Sequence, residues 1–297
     1  MPSPLPTLNC VRMRSSRREI FNTLCSVAAE IYPAEEARQI AELILEQCGG
    51  VTRNQLLVEP NVELDIPNFD TILSDIRRWR PVQYITGKAT FADIDLEVSE
   101  GVLVPRPETE ELVMRVAAEV LAGATILDVC TGSGCIAIAL ARCVKDSRVW
   151  GLDLSHECLN IARLNGERYA PNVQFVEGDA LSDFSQLFDE KFDVIVSNPP
   201  YIPVSDMSLM RPNVTEYEPH MALFVPDDDP LKFYRAIACT ARQMLKAEGR
   251  LYFEIYEMLA CEMCDMLRAE GYDDVVLIED FRGKPRMICA KVSSIAR

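Results

Sequence analysis

Residues 126–140 read ILDVCTGSGCIAIAL, and this stretch decides the fold. An apolar run from Ala124 to Val129 carries one acid, Asp128, near its end. A turn containing Gly132 and Gly134 follows, and Cys135 to Val144 then shows helical apolar spacing. A strand, a glycine turn and a helix form the opening unit of an open α/β sheet. Ligands of such sheets bind outside the carboxyl ends of the strands, and glycine lets backbone approach them closely.

The pattern repeats outward from this unit. Arg148–Asp153, Val173–Val176, Phe192–Val196, Arg250–Ile255, Val275–Glu279 and Met287–Lys291 read as further strands. Ser155–Tyr169, with Ser155 as a candidate N-cap, Leu231–Lys246 and Met258–Ala269 read as helices between them. Such alternation predicts a mainly parallel, seven-stranded sheet with helices on both faces. Upstream, residues 17–83 carry helical periodicity alone and predict a small helical domain, with Thr52 and Asn68 as helix caps. Residues 84–104 alternate apolar and polar side chains between Gly87 and Gly101 and predict a hairpin connector. Residues 105–297 form the α/β domain, its first helix expected over Glu110–Leu121. Residues 1–16, with prolines and no periodicity, predict a disordered lead.

Bulk properties narrow the function. The 297 residues contain no apolar run long enough to span a bilayer and no signal-peptide core, so a cytoplasmic protein away from membranes is expected. A net charge of −16 works against a nucleic-acid substrate. Eleven cysteines suit free thiols in a reducing compartment, and the lone Cys261-x-x-Cys264 pair reads as helix packing. With two histidines in the chain, a His-rich metal site or a Ser-His-Asp triad lacks material, and no metal is expected.

The cofactor signal leaves two readings open. Gly132-x-Gly134-x-x-Ala137 with Asp153 beyond it fits a dinucleotide fingerprint. The spacing of Asp128, Asp153 and Asp179 favours S-adenosylmethionine, since each acid ends a successive strand unit. Asp128 can receive an amino group, directly or through water. Asp153 can hold both ribose hydroxyls. Asp179 can meet the adenine amino group while Ala180 offers a backbone N–H.

SNPPYIP, residues 197–203, follows the Phe192–Val196 strand. Asn198 offers a side-chain oxygen and Pro199 a backbone carbonyl, two acceptors for the hydrogens of a flat NH2 group. Pro199 and Pro200 hold these acceptors before the substrate arrives. Tyr201 can cover the planar face. This is a site for methylating an amide or a base amine, with Asn198, Pro199 and Tyr201 as catalytic candidates and Asn198 to Tyr201 as the acceptor grip.

RPVQYITGKATF (80–91), VLVPRPETE (102–110), DVCTGSGCIAIAL (128–140), SNPPYIP, YEPHMALF (217–224) and EDFRGKPRM (279–287) together resemble the release-factor glutamine methyltransferase family, also called HemK-like. The resemblance covers the chain from about residue 17. It implies a class I S-adenosylmethionine-dependent methyltransferase that methylates N5 of the glutamine in the Gly-Gly-Gln motif of peptide chain release factors. It implies donor contacts at Cys130, Thr131, Gly132, Ser133, Gly134, Asp153, Ala180 and Asn198. A monomer with a release factor as its protein partner is expected. Glutamine of a ribosomal protein, and an exocyclic amine of adenine or guanine, are the alternative acceptors. Two positions depart from the family pattern: Cys130 stands where the turn's first glycine is usual, and Tyr256 where the glycine of a Glu-x-Gly is usual.

Overall fold

A computed structural model describes residues 15–292 and divides into two compact units, Met1–Thr86 and Gly87–Arg297. The expected disordered lead lies outside the described residues up to residue 14. Ser15–Ser16 instead form a short strand, β1, paired antiparallel with β2 (Glu63–Leu64).

The first unit contains α1 (Arg17–Ala28), α2 (Ala34–Gly49), α3 (Arg53–Val58), α4 (Phe69–Arg77) and α5 (Val82–Thr86). Its core is built from Leu24, Val27, Ile44, Leu45 and Ile76. Ser16 and Thr52 close capping boxes with Glu19 and Gln55. Asn68 precedes α4 in a left-handed conformation but makes no side-chain cap bond. Helix α5 occupies residues expected to open the hairpin. The amides of Tyr84 and Ile85 donate to the Pro81 carbonyl, and strand alternation begins only at Lys88.

In the second unit, β3 (Lys88–Phe91) and β4 (Ile94–Glu97) form a hairpin whose two turn residues, Ala92 and Asp93, both have positive φ. That geometry matches the right-handed twist of paired strands. Then come α6 (Pro107–Glu119), β5 (Thr125–Val129), α7 (Cys135–Cys143), β6 (Arg148–Asp153), α8 (His156–Tyr169), β7 (Gln174–Glu177) and β8 (Phe192–Ser197). The short β9 (Ile202–Pro203), α9 (Pro212–Thr215), α10 (His220–Leu223) and β10 (Phe224–Val225) follow. The unit ends with α11 (Lys232–Met244), β11 (Leu245–Glu254), α12 (Ala260–Ala269), β12 (Tyr272–Glu279) and β13 (Pro285–Val292).

The sheet has seven strands in the order β12-β13-β11-β8-β5-β6-β7. Strand β13 runs against its neighbours, and the pairings from β11 through β8, β5 and β6 to β7 are parallel. Alternate side chains enter opposite layers. Leu127, Val129, Ile195 and Phe253 join the core under α11 and α12, while Ile126, Val194, Val196 and Tyr252 join the core under α6 and α7. In α12, Cys261 is exposed and Cys264 is half-buried against the core, so packing explains the second thiol alone.

Register places the strand ends in one line. Val129 stands opposite Leu152 and Ser197, and Ser197 stands opposite Phe253. The next residue of each strand is therefore Cys130, Asp153, Asn198 and Glu254, a row across the carboxyl edge of the sheet.

Phe175 fixes this register on the β6–β7 side. Its ring sits where a Cβ on Gly151 or Gly166 would approach within 2.8 Å, and one on Gly134 within 3.2 Å. Gly151 pairs directly with Phe175, so the ring lies over bare backbone. Gly151→Ala should destabilise the protein by about 1–3 kcal/mol through overpacking. Urea unfolding would measure it, and an unchanged midpoint would show that the ring can shift.

Candidate active site

The turn after β5 is held by its own backbone. Thr131 N–H donates to Leu152 O at 3.0 Å, and Gly134 N–H donates to Thr131 O at 2.9 Å. Gly132 and Gly134 have φ of 56° and 82°. Cys130 has φ of 63°, so a side chain occupies a left-handed position that costs a non-glycine residue about 1–2 kcal/mol. Its side chain packs against the buried core, which offsets part of that cost.

Asp128 is 0% exposed. Its Oδ2 accepts from Thr131 Oγ1 at 2.5 Å and from Ala137 N–H at 3.2 Å, while its Oδ1 has no partner among the described residues. Burial is the main cause that raises its pKa to about 7. Asp153 spans the turn: Oδ2 accepts from Gly132 N–H at 2.8 Å and Oδ1 from Ser155 N–H at 2.9 Å. Each oxygen retains a second lone pair for a ligand hydroxyl. Asp179 is held by Leu181 N–H and Ser182 Oγ.

A cavity of roughly 970 Å3, counted to its open mouth, lies along this edge. Cys130, Thr131, Gly132, Ser133, Asp153, Asp179, Ala180 and Asn198 line it, together with Leu103, Arg106, Thr109, Met221 and Phe233. Asp128 and Gly134 do not. Asp128, expected to meet the donor's amino group directly or through water, stands behind the Thr131 wall with an unmatched acceptor oxygen. Asp153 and Asp179 are the lining acids and Arg106 the lining cation, and Arg106 is already paired with Glu218 at 2.6 Å. The charge set disfavours a pyrophosphate and fits S-adenosylmethionine, which carries a sulfonium, an amino group and a ribose diol.

A second cavity of about 430 Å3 is lined by Pro199, Tyr201, Ile202, Met210 and Leu223. Leu103, Arg106, Asn198 and Ala222 line both cavities and so form the junction. Pro200 faces the first cavity alone. The corner is braced from behind: Tyr201 N–H donates to Leu223 O, and β9 pairs in parallel with β10. Glu218 is 4% exposed and accepts from both Val104 N–H and Arg106, which ties the 102–106 strip to the YEPHMALF segment. Neither histidine lines either cavity.

Several residues here take places that the sequence did not show. Helix α6 starts at Pro107 rather than Glu110, because proline's preset φ suits the first helical position. Thr109 thereby lies on α6 and is buried, donating to Glu254. Arg286 is a largely buried side chain paired with Asp280 at 3.4 Å. Tyr256 lies nearly parallel to Tyr201, with ring centroids 6.3 Å apart, and donates to Asp206 at 2.6 Å. It precedes a 3-10 turn, so α12 starts at Ala260. Glu254 ends a strand, as Asp153 does, and that shared signal was available in the sequence.

A buried acid with a raised pKa favours the folded state when protonated. Asp128 moves from an ordinary 3.8 to about 7, so its contribution is full below the lower value and lost as pH rises through the upper one. Without donor, the stability of the wild type relative to Asp128→Asn should fall between about pH 4 and pH 7, then stay level. Urea unfolding across that range would check this, and a pH-independent difference would contradict it.

A methyltransferase domain model matches residues 126–212, and a PrmC N-terminal domain model matches residues 26–87. The release factor glutamine methyltransferase of Bacteroides thetaiotaomicron is 39% identical over 264 residues, covering 88% of this chain and 95% of that protein. Its counterpart from Flavobacterium psychrophilum is 37% identical, covering 88% and 93%. The crystal structure of a methyltransferase from Pyrococcus furiosus shares the fold at a TM-score of 0.52, with 19% identity over 67% of this chain and 89% of that one. With its class I methyltransferase fold, the chain belongs to the release factor glutamine methyltransferase family.

Proposed function

We propose that this enzyme transfers a methyl group from S-adenosylmethionine to the side-chain amide nitrogen of the Gly-Gly-Gln glutamine in peptide chain release factors, in support of translation termination. The observation that carries the reading is the position of Asn198. It stands at the junction of the two cavities, its Nδ2 donates to Thr109, and its Oδ1 has no partner among the described residues. A donor in the first cavity and an acceptor amide in the second would meet there.

The turn Cys130 to Ser133, Asp153, Asp179 and Ala180 would hold the donor, with Asp128 and Gly134 supporting the turn. When bound, S-adenosylmethionine supplies an electrophilic methyl group. An amide nitrogen is a weak nucleophile, because its lone pair is delocalised into the carbonyl. Asn198 Oδ1 and the Pro199 carbonyl would accept its two hydrogens and aim the nitrogen at the junction. The prolines fix both acceptors beforehand, so little ordering remains for the reaction step. Tyr201 covers the planar group. The acidic chain favours a basic protein over nucleic acid as partner. The reading has the enzyme act in the cytoplasm as a monomer; among the described residues, no helix is long and apolar enough to cross a membrane.

Label transfer from S-adenosylmethionine to intact release factor, to its loop Gln→Ala variant, to ribosomal proteins and to DNA tests the acceptor. Labelling of intact release factor alone is expected. Labelling of a ribosomal protein would move the partner, and labelling of DNA would replace the amide with a base amine. Asn198→Ala should lower kcat about 100- to 1,000-fold, the usual loss for one preorganised polar group, with donor affinity changed only a few-fold in calorimetry.

A further inference from the structure

We propose that Thr109 and Glu254 form a positioning relay that sets which way round the Asn198 carboxamide stands. The inference rests on the reading that Asn198 Oδ1 receives the acceptor amide. A carboxamide has an oxygen end and an NH2 end of nearly equal size. Turned by half a rotation, Asn198 would present donors to the donors of the substrate and lose its grip. Something must fix its polarity before the substrate arrives.

The chain of hydrogen bonds does this. Asn198 Nδ2 donates to Thr109 Oγ1 at 3.3 Å, and Thr109 Oγ1 donates to Glu254 Oε2 at 2.7 Å. A hydroxyl has one hydrogen. Once Thr109 gives it to the carboxylate, lone pairs alone face Asn198, which answers with its NH2. Oδ1 is then left for the junction. The same carboxylate also takes the Tyr201 hydroxyl on Oε1 at 3.0 Å. One side chain therefore orients both the acceptor oxygen and the ring of the grip.

Glu254 is 1% exposed and its direct partners are two neutral hydroxyls, an expensive place for an acid. Burial pushes its pKa upward, while Thr109, Tyr201 and the charge of Arg286 oppose the rise and favour the acceptor-only form. Packing does not account for such a residue, whereas a fixed hydrogen-bond direction does. Thr109 sits three residues into α6 and Glu254 at the end of β11, so both ends of the relay are mounted on regular elements.

The test is steady-state methylation of full-length release factor by Thr109→Val, Thr109→Ser and Glu254→Gln, each alone and with Asn198→Ala. Donor affinity is read by calorimetry and folding by thermal unfolding. Thr109→Val should lower kcat about 10- to 100-fold, as expected for a misplaced reactive group, with donor Kd within about threefold. Thr109→Ser, which keeps the hydroxyl, should return kcat to within about threefold of wild type. On the Asn198→Ala background, Thr109→Val should cost less than about twofold more, because residues acting through one another are not additive. Glu254→Gln, which can donate as well as accept, should lower kcat like Thr109→Val. Should it fail to fold, the threonine pair still decides. Full kcat in Thr109→Val, an equal loss in Thr109→Ser, or an undiminished loss on the Asn198→Ala background would overturn the relay. A wild-type enzyme that binds donor but leaves release factor unlabelled would overturn the acceptor reading, and the relay with it.

Discussion

Parallel pairing of β5 with β6 and β8, and of β8 with β11, is the constraint from which the site follows. Backbone hydrogen bonds bring four strand ends to one edge in one register. Cys130, Asp153, Asn198 and Glu254 come to lie in a row because of that pairing. Side-chain direction alternates along a strand, so a slip of one residue would turn each of them to the opposite face. Phe175, resting on bare glycine backbone at Gly151, makes such a slip costly on one side. On the other, Ser197 Oγ donates to Val129 O at 2.5 Å.

The carboxyl edge of the sheet concentrates acids where the chain can least solvate them. Asp128 and Glu254 are nearly inaccessible, and burial raises the pKa of both. Each is held differently. Asp128 is stitched to the turn by Thr131 and Ala137 and keeps one oxygen unmatched. Glu254 is fully engaged by hydroxyls. The first arrangement tolerates a cation nearby and the second fixes direction. A cavity lined by Asp153 and Asp179, with Arg106 bound to Glu218, is suited to a positively charged ligand.

The two cavities share a short wall, and its residues come from segments far apart in the chain. Leu103 and Arg106 precede α6, Asn198 follows β8, and Ala222 lies in α10. Glu218 binds two of these segments together from below the surface. The proline-rich strip before α6 thus serves as a partition as well as a helix lead.

Local sequence determined the elements and the chemistry of their ends. The alternation of apolar runs and helical spacing identified the parallel sheet. The glycine turn marked where a ligand meets it, and Asn198 to Tyr201 displayed acceptors beside a rigid backbone. These are short-range properties, set by side-chain periodicity and by what glycine and proline do to a backbone. Partnership was decided only by the tertiary structure. Thr109 and Glu254 are 145 positions apart, Arg106 and Glu218 are 112 apart, and Asn198 and Thr109 are 89 apart. A threonine in PRPETE or an arginine in EDFRGKPRM carries no local sign of its partner, because hydrogen bonding and burial depend on which elements the topology brings together. Asp128 shows the converse: its place at a strand end was legible, but which side of the cavity wall it occupies was set by packing.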